Sequence, residues 1–204
     1  MTPTEERIFI AAVQLFVDKG TTQITISELA QQANVARGTL YRNIGSIEGL
    51  FDRVVHDIST DMHQRVAATF TGMDDPAARM ATGVRLWIRT GHDNPLMGRF
   101  AVEFGLLTKE ILRTWLAGPP QEDFQAGVAS GRYILGSASI ESVISMVLGS
   151  TLSAMWMVLE GHQTWREAGA STAELLLRAL GIDPEEAHEI STRELPALAP
   201  STVL

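Results

Sequence analysis

The sequence predicts an all-α protein, with an N-terminal three-helix helix-turn-helix unit ahead of a larger helical body. Three observations carry this. Apolar residues recur at three- and four-residue spacing along most of the 204-residue chain. The breaks between those runs carry helix starts (Thr-Pro, Asp-Pro, Asn-Pro) and helix stops (Gly). No stretch alternates apolar and polar residues over a useful length, as a half-buried strand would.

Each element follows from its residues. Thr2, Pro3 and Glu5 form a capping box with proline in the first turn, Ile8, Ala11, Ala12, Leu15 and Phe16 make one stripe, and Gly20 ends the helix. Thr25 opens a second helix with Glu28 as its reciprocal cap, and Ile26, Leu29, Ala30 and Ala33 face inward. Asn34 stands where the chain must turn, since asparagine tolerates the left-handed conformation. Val35 plugs the angle between the helices. Arg37 to Ile44 form a third, short helix with Leu40 and Ile44 inward, stopped by Gly45. Ser46 is expected to cap a long fourth helix with Leu50, Phe51, Val54, Val55, Ile58, Met62, Val66 and Phe70 on one stripe, the natural lever between the two units.

Asp75-Pro76 starts the next helix, lined by Met80, Val84, Trp87 and Ile88, and Gly91 is expected to end it. Asn94-Pro95 starts another, through Phe100 and Phe104 to Leu116, before Gly118-Pro119-Pro120 interrupts. Gly127 and Gly131 bracket a turn. Ser142 to Leu159 hold no charge over eighteen positions. That length invites a membrane span. A buried helix explains the stretch better, because small residues (Ser142, Ser145, Gly149, Ser153) form one ridge and no basic or aromatic anchors flank both ends. Ser171 and Glu174 are expected to cap a further helix with Leu175, Leu176, Ala179 and Leu180. Asp183, Pro184 and Glu186 cap a short last one. Residues 191–204 read as an extended tail that is mobile or lies along the body. The domain boundaries read 1–50 and 51–204.

Composition narrows the function. There is no cysteine, so disulfides and thiolate metal sites are excluded, in keeping with a cytoplasmic protein. The N-terminus lacks an apolar signal core behind a basic start. Net charge is −8, unpromising for a nucleic-acid partner when read globally. Its distribution matters more: between Leu29 and Ile47 the only charges are Arg37 and Arg42. Arg37, Thr39, Arg42 and Asn43 point away from Leu40 and Ile44. Arginine can fork onto guanine, asparagine onto adenine, and threonine can touch a thymine methyl. Tyr41 reaches far enough for a phosphate, and Gly38 leaves room for close approach. Taken alone, this flank also reads as an ordinary solvated surface; the three-helix context favours a helix placed in the major groove of double-stranded DNA. Catalysis has little support, because no nucleophile motif or glycine-rich phosphate loop is present. His56, Asp57, Asp61 and His63 crowd one helix, but their spacing fits a solvated face better than a metal site. No cofactor and no metal are expected.

At Thr25-Ile26-Ser27-Glu28-Leu29-Ala30, Asn34-Val35-Ala36-Arg37-Gly38-Thr39-Leu40-Tyr41 and Ser46-Ile47-Glu48-Gly49-Leu50 the chain resembles the TetR family of bacterial transcriptional regulators. The match covers about the first quarter of the sequence. It departs from the family pattern at Asn34, where glycine is usual; at Ala36, where a hydroxyl residue often caps; at Ile44, where an aromatic is usual; and at Ile47, where a lysine commonly meets phosphate. The resemblance implies DNA contacts from Thr25, Ala36, Arg37, Gly38, Thr39, Tyr41, Arg42 and Asn43. It implies a body with a pocket for a small, mostly apolar effector, with Trp87, Met97, Phe100, Phe104, Trp115, Phe124, Met155 and Trp156 as candidate lining; each also reads as ordinary core. It implies a homodimer joined through the last two long helices, with Ser145, Leu148, Gly149, Leu152, Leu175, Leu176 and Ala179 as candidate contacts. The expected function is a ligand-responsive repressor that binds a near-palindromic operator. The alternatives are a helical small-molecule-binding or enzymatic protein, and a constitutive regulator whose body is filled.

Overall fold

The computed structural model describes residues 1–106 and 119–203. Among these, ten helices run α1 Pro3–Lys19, α2 Ile26–Gln32, α3 Arg37–Ile44, α4 Leu50–Ala68, α5 Pro76–Asp93, α6 Pro95–Phe104, α7 Pro119–Ala129, α8 Ile140–Leu159, α9 Trp165–Ala179 and α10 Pro184–Thr192, and no strand is present among the described residues. The starts of α1 and α2 follow local chemistry: the Thr2–Glu5 and Thr25–Glu28 boxes are both closed. Asp75 and Asn94 cap α5 and α6, each ahead of a proline.

Three boundaries differ from the sequence reading. Ser46 does not cap α4; its hydroxyl donates to the Glu48 carbonyl, and α4 begins after Gly49, which sits at φ 72°. Gly91 does not end α5. It is buried inside the helix, where α6 crosses so closely that a Cβ on Gly98 would lie 2.8 Å from the Gly91 Cα. Ser171 is mid-helix, because α9 starts earlier, at a Thr164–Glu167 capping box.

Two main cores form. The N-terminal one gathers Phe16, Leu29, Leu40 and Val54 with Phe100 and Phe104 of α6. Its phenylalanines form a ring cluster in which Phe51 meets Phe16 and Phe104 edge-on, with centroids 5.1 and 5.3 Å apart. The body core surrounds α5, which packs on α8 and α9, while α10 closes the far side. Arg132 forks onto Asp75 at 2.8 and 3.0 Å and onto Glu186 at 2.7 and 3.1 Å, tying the start of α5 to α10. That guanidinium holds the Asp75 carboxyl below its ordinary range.

The tail is extended, as its composition predicts, and it is docked. Leu195 and Leu198 pack on Met62, Val66 and Leu86, and Val203 reaches the N-terminal core. α8 is long and apolar enough to cross a membrane, with mean hydropathy 1.7, yet half of that stretch is buried inside the protein.

Candidate nucleic-acid interface and effector cavity

α3 is a short helix with little stability of its own. Leu40, fully buried, holds it from behind, and half-buried Ile44 and Val35 flank it. The turn before it needs Asn34 at φ 51°, the one non-glycine residue with positive φ among the described residues. The Val35 amide then bonds to the Ala30 carbonyl at 3.0 Å. At the far end Arg53 of α4 donates to the Ile44 carbonyl at 2.9 Å, a C-terminal tie not anticipated from sequence. Lys19 and Glu28 pair at 2.7 Å and fasten α1 to α2. That ammonium, with the Thr25 amide, pulls the Glu28 carboxyl down to about 2.

Arg37, Gly38, Tyr41 and Arg42 are exposed, and Thr39 and Asn43 are half-buried at the edge of the same flank. Tyr41 leaves 56% of its surface open. Two base-reading candidates are already engaged within the helix. Asn43 Nδ2 donates to the Thr39 carbonyl at 2.7 Å, and an Arg42 guanidinium nitrogen donates to Thr39 Oγ1 at 3.3 Å. Contact with a base edge means exchanging these bonds. A Cβ on Gly38 would meet nothing within 4 Å, so nothing in the protomer requires glycine there. Thr25 is exposed, with its hydroxyl committed to the α2 cap.

Ala36 has the extended backbone of an N-cap, φ −68° and ψ 146°, and no side-chain bond to offer. Ala36→Ser is therefore expected to stabilise α3 by about 1 kcal/mol. Slower amide hydrogen exchange at residues 37–44 checks it; unchanged exchange means the cap geometry is not productive.

In the body a cavity of about 100 Å³ opens between α4, α5, α7 and α8. Phe70, Trp87, Phe124 and Tyr133 supply aromatic walls, with His63 at the α4 side. Its described lining carries no unpaired charge. Burial pulls His63 toward its neutral form and pushes the Tyr133 hydroxyl up, so it stays protonated. Arg79 is paired with Asp123 at 2.6 Å.

Of the residues singled out for a pocket, Trp87 and Phe124 line this cavity. Phe100 and Phe104 belong to the N-terminal core, Phe100 also lining a small cavity of about 30 Å³ beside Trp87, and Met97 packs against that core from the edge of a second cavity. Met155 is buried against Gly91, Trp156 is exposed, and Trp115 lies outside the described residues. Periodicity gives burial but not the neighbour, so the sharing of α6 with the N-terminal core is not visible in its pattern. Of the residues singled out for self-association, Leu148, Leu152 and Leu176 are buried inside the protomer. Ser145, Leu175 and Ala179 are exposed, and a Cβ on Gly149 would meet only open space. Asp61 and His63 are not on a solvated face: Asp61 is 8% and His63 9% exposed, because the tail covers the first and the cavity wall encloses the second.

A small helix-turn-helix unit with an open, acid-free third helix, seated on a helical body that contains an apolar cavity, defines a helix-turn-helix protein of the regulatory class. Residues 8–54 match the family described as "Bacterial regulatory proteins, tetR family", and residues 75–193 match "Tetracyclin repressor-like, C-terminal domain". The chain belongs to the TetR family of bacterial transcriptional regulators. It is similar to the uncharacterised HTH-type regulator YvkB of Bacillus subtilis (strain 168), 39% identical over 61 residues, which is 30% of this chain and 32% of that protein. It is similar also to the HTH-type transcriptional repressor DhaR of Mycobacterium sp. (strain GP1), 23% identical over 117 residues, 56% of this chain and 59% of that one. These alignments span about a third to three fifths of the curated relatives' lengths. The fold is shared with RolR in complex with resorcinol, TM-score 0.68 at 24% identity over 96% of each chain. It is shared too with a putative family member from Shewanella sp. PV-4, TM-score 0.74 at 22% identity over 87% of this chain and 97% of that one.

Proposed function

We propose that the protein is a ligand-responsive repressor that binds a near-palindromic operator as a homodimer, each subunit setting α3 into the major groove of one half-site. The observation that carries this is the α3 flank: it is open, free of acidic residues, and braced by a fully buried Leu40. Two arginines are few for a duplex partner, so helix N-termini, backbone donors and a second copy of the domain supply the rest. The second copy docks on the outer face of α8 and α9, where Ser145, Gly149, Trp156 and Leu175 leave apolar surface open. Trp156 is 46% and Leu175 64% exposed.

The effector is small, uncharged and mostly apolar, because the described cavity wall has no free charge to pair with an ionic group. It acts by preferring one arrangement of α4. Its effect on DNA binding is no larger than its differential affinity for the two arrangements. The cavity also speaks against a constitutive regulator with a filled body.

Selection of preferred duplexes from a random pool, followed by gel-shift titration, tests the reading. A two-fold symmetric site should emerge, with half-site centres about one helical turn apart or a multiple of it. Arg37→Ala and Tyr41→Phe should each weaken binding to that site, by about 1–3 kcal/mol for a lost base fork at Arg37, with unchanged melting. If both variants bind like the parent, the docking of α3 is wrong.

A further inference from the structure

α4 joins the two units, and its backbone comes near α5 at few points; the two helices meet through side chains, Met62 and Val66 clustering with Leu86 and the His63 ring 5.6 Å from that of Trp87. Its N-terminal half, through Val54, Val55 and Ile58, belongs to the N-terminal core. Its C-terminal half presents His63, Val66 and Ala67 to the effector cavity. What grips its remaining face is the segment 194–203. Asp61 accepts from the Ser201 hydroxyl at 2.9 Å, the Thr202 hydroxyl at 2.8 Å and the Thr202 amide at 3.0 Å. Arg65 closes the latch from the same helix, donating to Asp61 at 3.2 Å and to the Ala199 carbonyl at 2.7 Å. The segment is anchored to α5 as well: Arg85 donates to the carbonyl of Arg193, just ahead of it, at 2.8 Å, and Leu195 and Leu198 pack against the cluster that holds Leu86.

We propose that residues 194–203 form a strap that clasps α4 to α5, with Asp61 as the latch, and that this strap sets how firmly the DNA-reading unit is held relative to the body. The inference rests on the regulatory reading above. Two features make the strap responsive and not merely adhesive. Beneath it lies a second cavity of about 240 Å³, so the packing of Met62 and Val66 on Leu86 leaves a gap between α4 and α5 that the strap bridges. Trp87 forms part of the wall of both this cavity and the effector cavity, and Leu198 lines this one too, so a ligand that moves Trp87 reshapes the space beneath the strap. A latch of several bonds to one buried carboxylate opens as a unit, because a partly satisfied carboxylate in that position is costly. Segments held this way come from the low-stability end of a fold, where a ligand can shift the open population.

The test uses the full chain with Ser201→Ala/Thr202→Val, which removes both hydroxyl donors without touching α4, and separately Asp61→Ala. Without DNA, amides in residues 50–63 and 195–203 should exchange faster in both variants than in the parent, while those of α9 do not change. On the duplex recovered by selection, affinity should fall about 5- to 100-fold, the range of ordinary couplings between sites. The triple variant should fall no further than either parent variant, because all three changes open one latch. Unchanged exchange in α4 overturns the strap, as does unchanged affinity or an additive loss in the triple variant. If the parent itself selects no duplex, the regulatory reading fails, and the exchange data still decide whether the strap holds α4.

Discussion

Leu40→Ala is expected to abolish selective DNA binding while the body stays folded. The side chain has no exposed surface and is the one residue of α3 in the buried core. Truncating a leucine at such a site costs about 2–5 kcal/mol. An isolated helix of this length does not hold itself together in water, so the loss falls on α3 first. Amides of residues 37–44 should lose their protection, and gel-shift titration should show only weak, salt-sensitive binding. Far-ultraviolet circular dichroism should change little, since α3 is eight residues of the chain. If the variant keeps operator affinity, α3 is positioned by something other than the seat of Leu40 in the N-terminal core.

The second large effect concerns the helix crossing at Gly91 and Gly98. Alanine normally improves a helix interior over glycine by about 1 kcal/mol. At Gly98 the new Cβ would stand 2.8 Å from the Gly91 Cα and 3.0 Å from its carbonyl oxygen, both backbone atoms that cannot swing away. Overpacking of that kind costs about 1–3 kcal/mol or more, so the steric term outweighs the propensity gain. Gly98→Ala should lower Tm by several degrees, at about 2–4 °C per kcal/mol for a chain of this size. Gly91→Ala meets a different obstacle, the Met155 side chain with Cγ at 2.5 Å and Sδ at 2.9 Å. Met155→Ala should therefore relieve Gly91→Ala and leave Gly98→Ala unrelieved. A Gly98→Ala variant as stable as the parent would mean that α5 and α6 do not meet as closely as described.

Legibility in the sequence tracked the range of the interaction. The Thr2–Glu5 and Thr25–Glu28 boxes, the Asp-Pro and Asn-Pro starts and the Asn34 turn involve neighbours a few residues apart, and the chain displays them directly. Gly91 reads as a helix stop because a glycine that ends a helix and a glycine that admits another helix look alike until the second helix is in place. Phe100 and Phe104 read correctly as buried, but no pattern in α6 says which core receives them. Asp61 looked solvated because its partners, Ser201 and Thr202, lie 140 and 141 residues away. At the candidate DNA flank, Leu40 was legible from spacing as the inward brace of α3. The Arg53 tie was not, since it depends on how α4 turns back toward Ile44.

The sharing of Phe100 and Phe104 with the N-terminal helices bears on any attempt to transplant the headpiece. A chimera joined after α3, or after α4, would arrive with an empty slot beside Phe16 and Phe51 and a greasy surface open to water. A graft that carries α6 along, by contrast, brings its own lid, so the practical seam of this molecule lies in space rather than at any single cut in the chain.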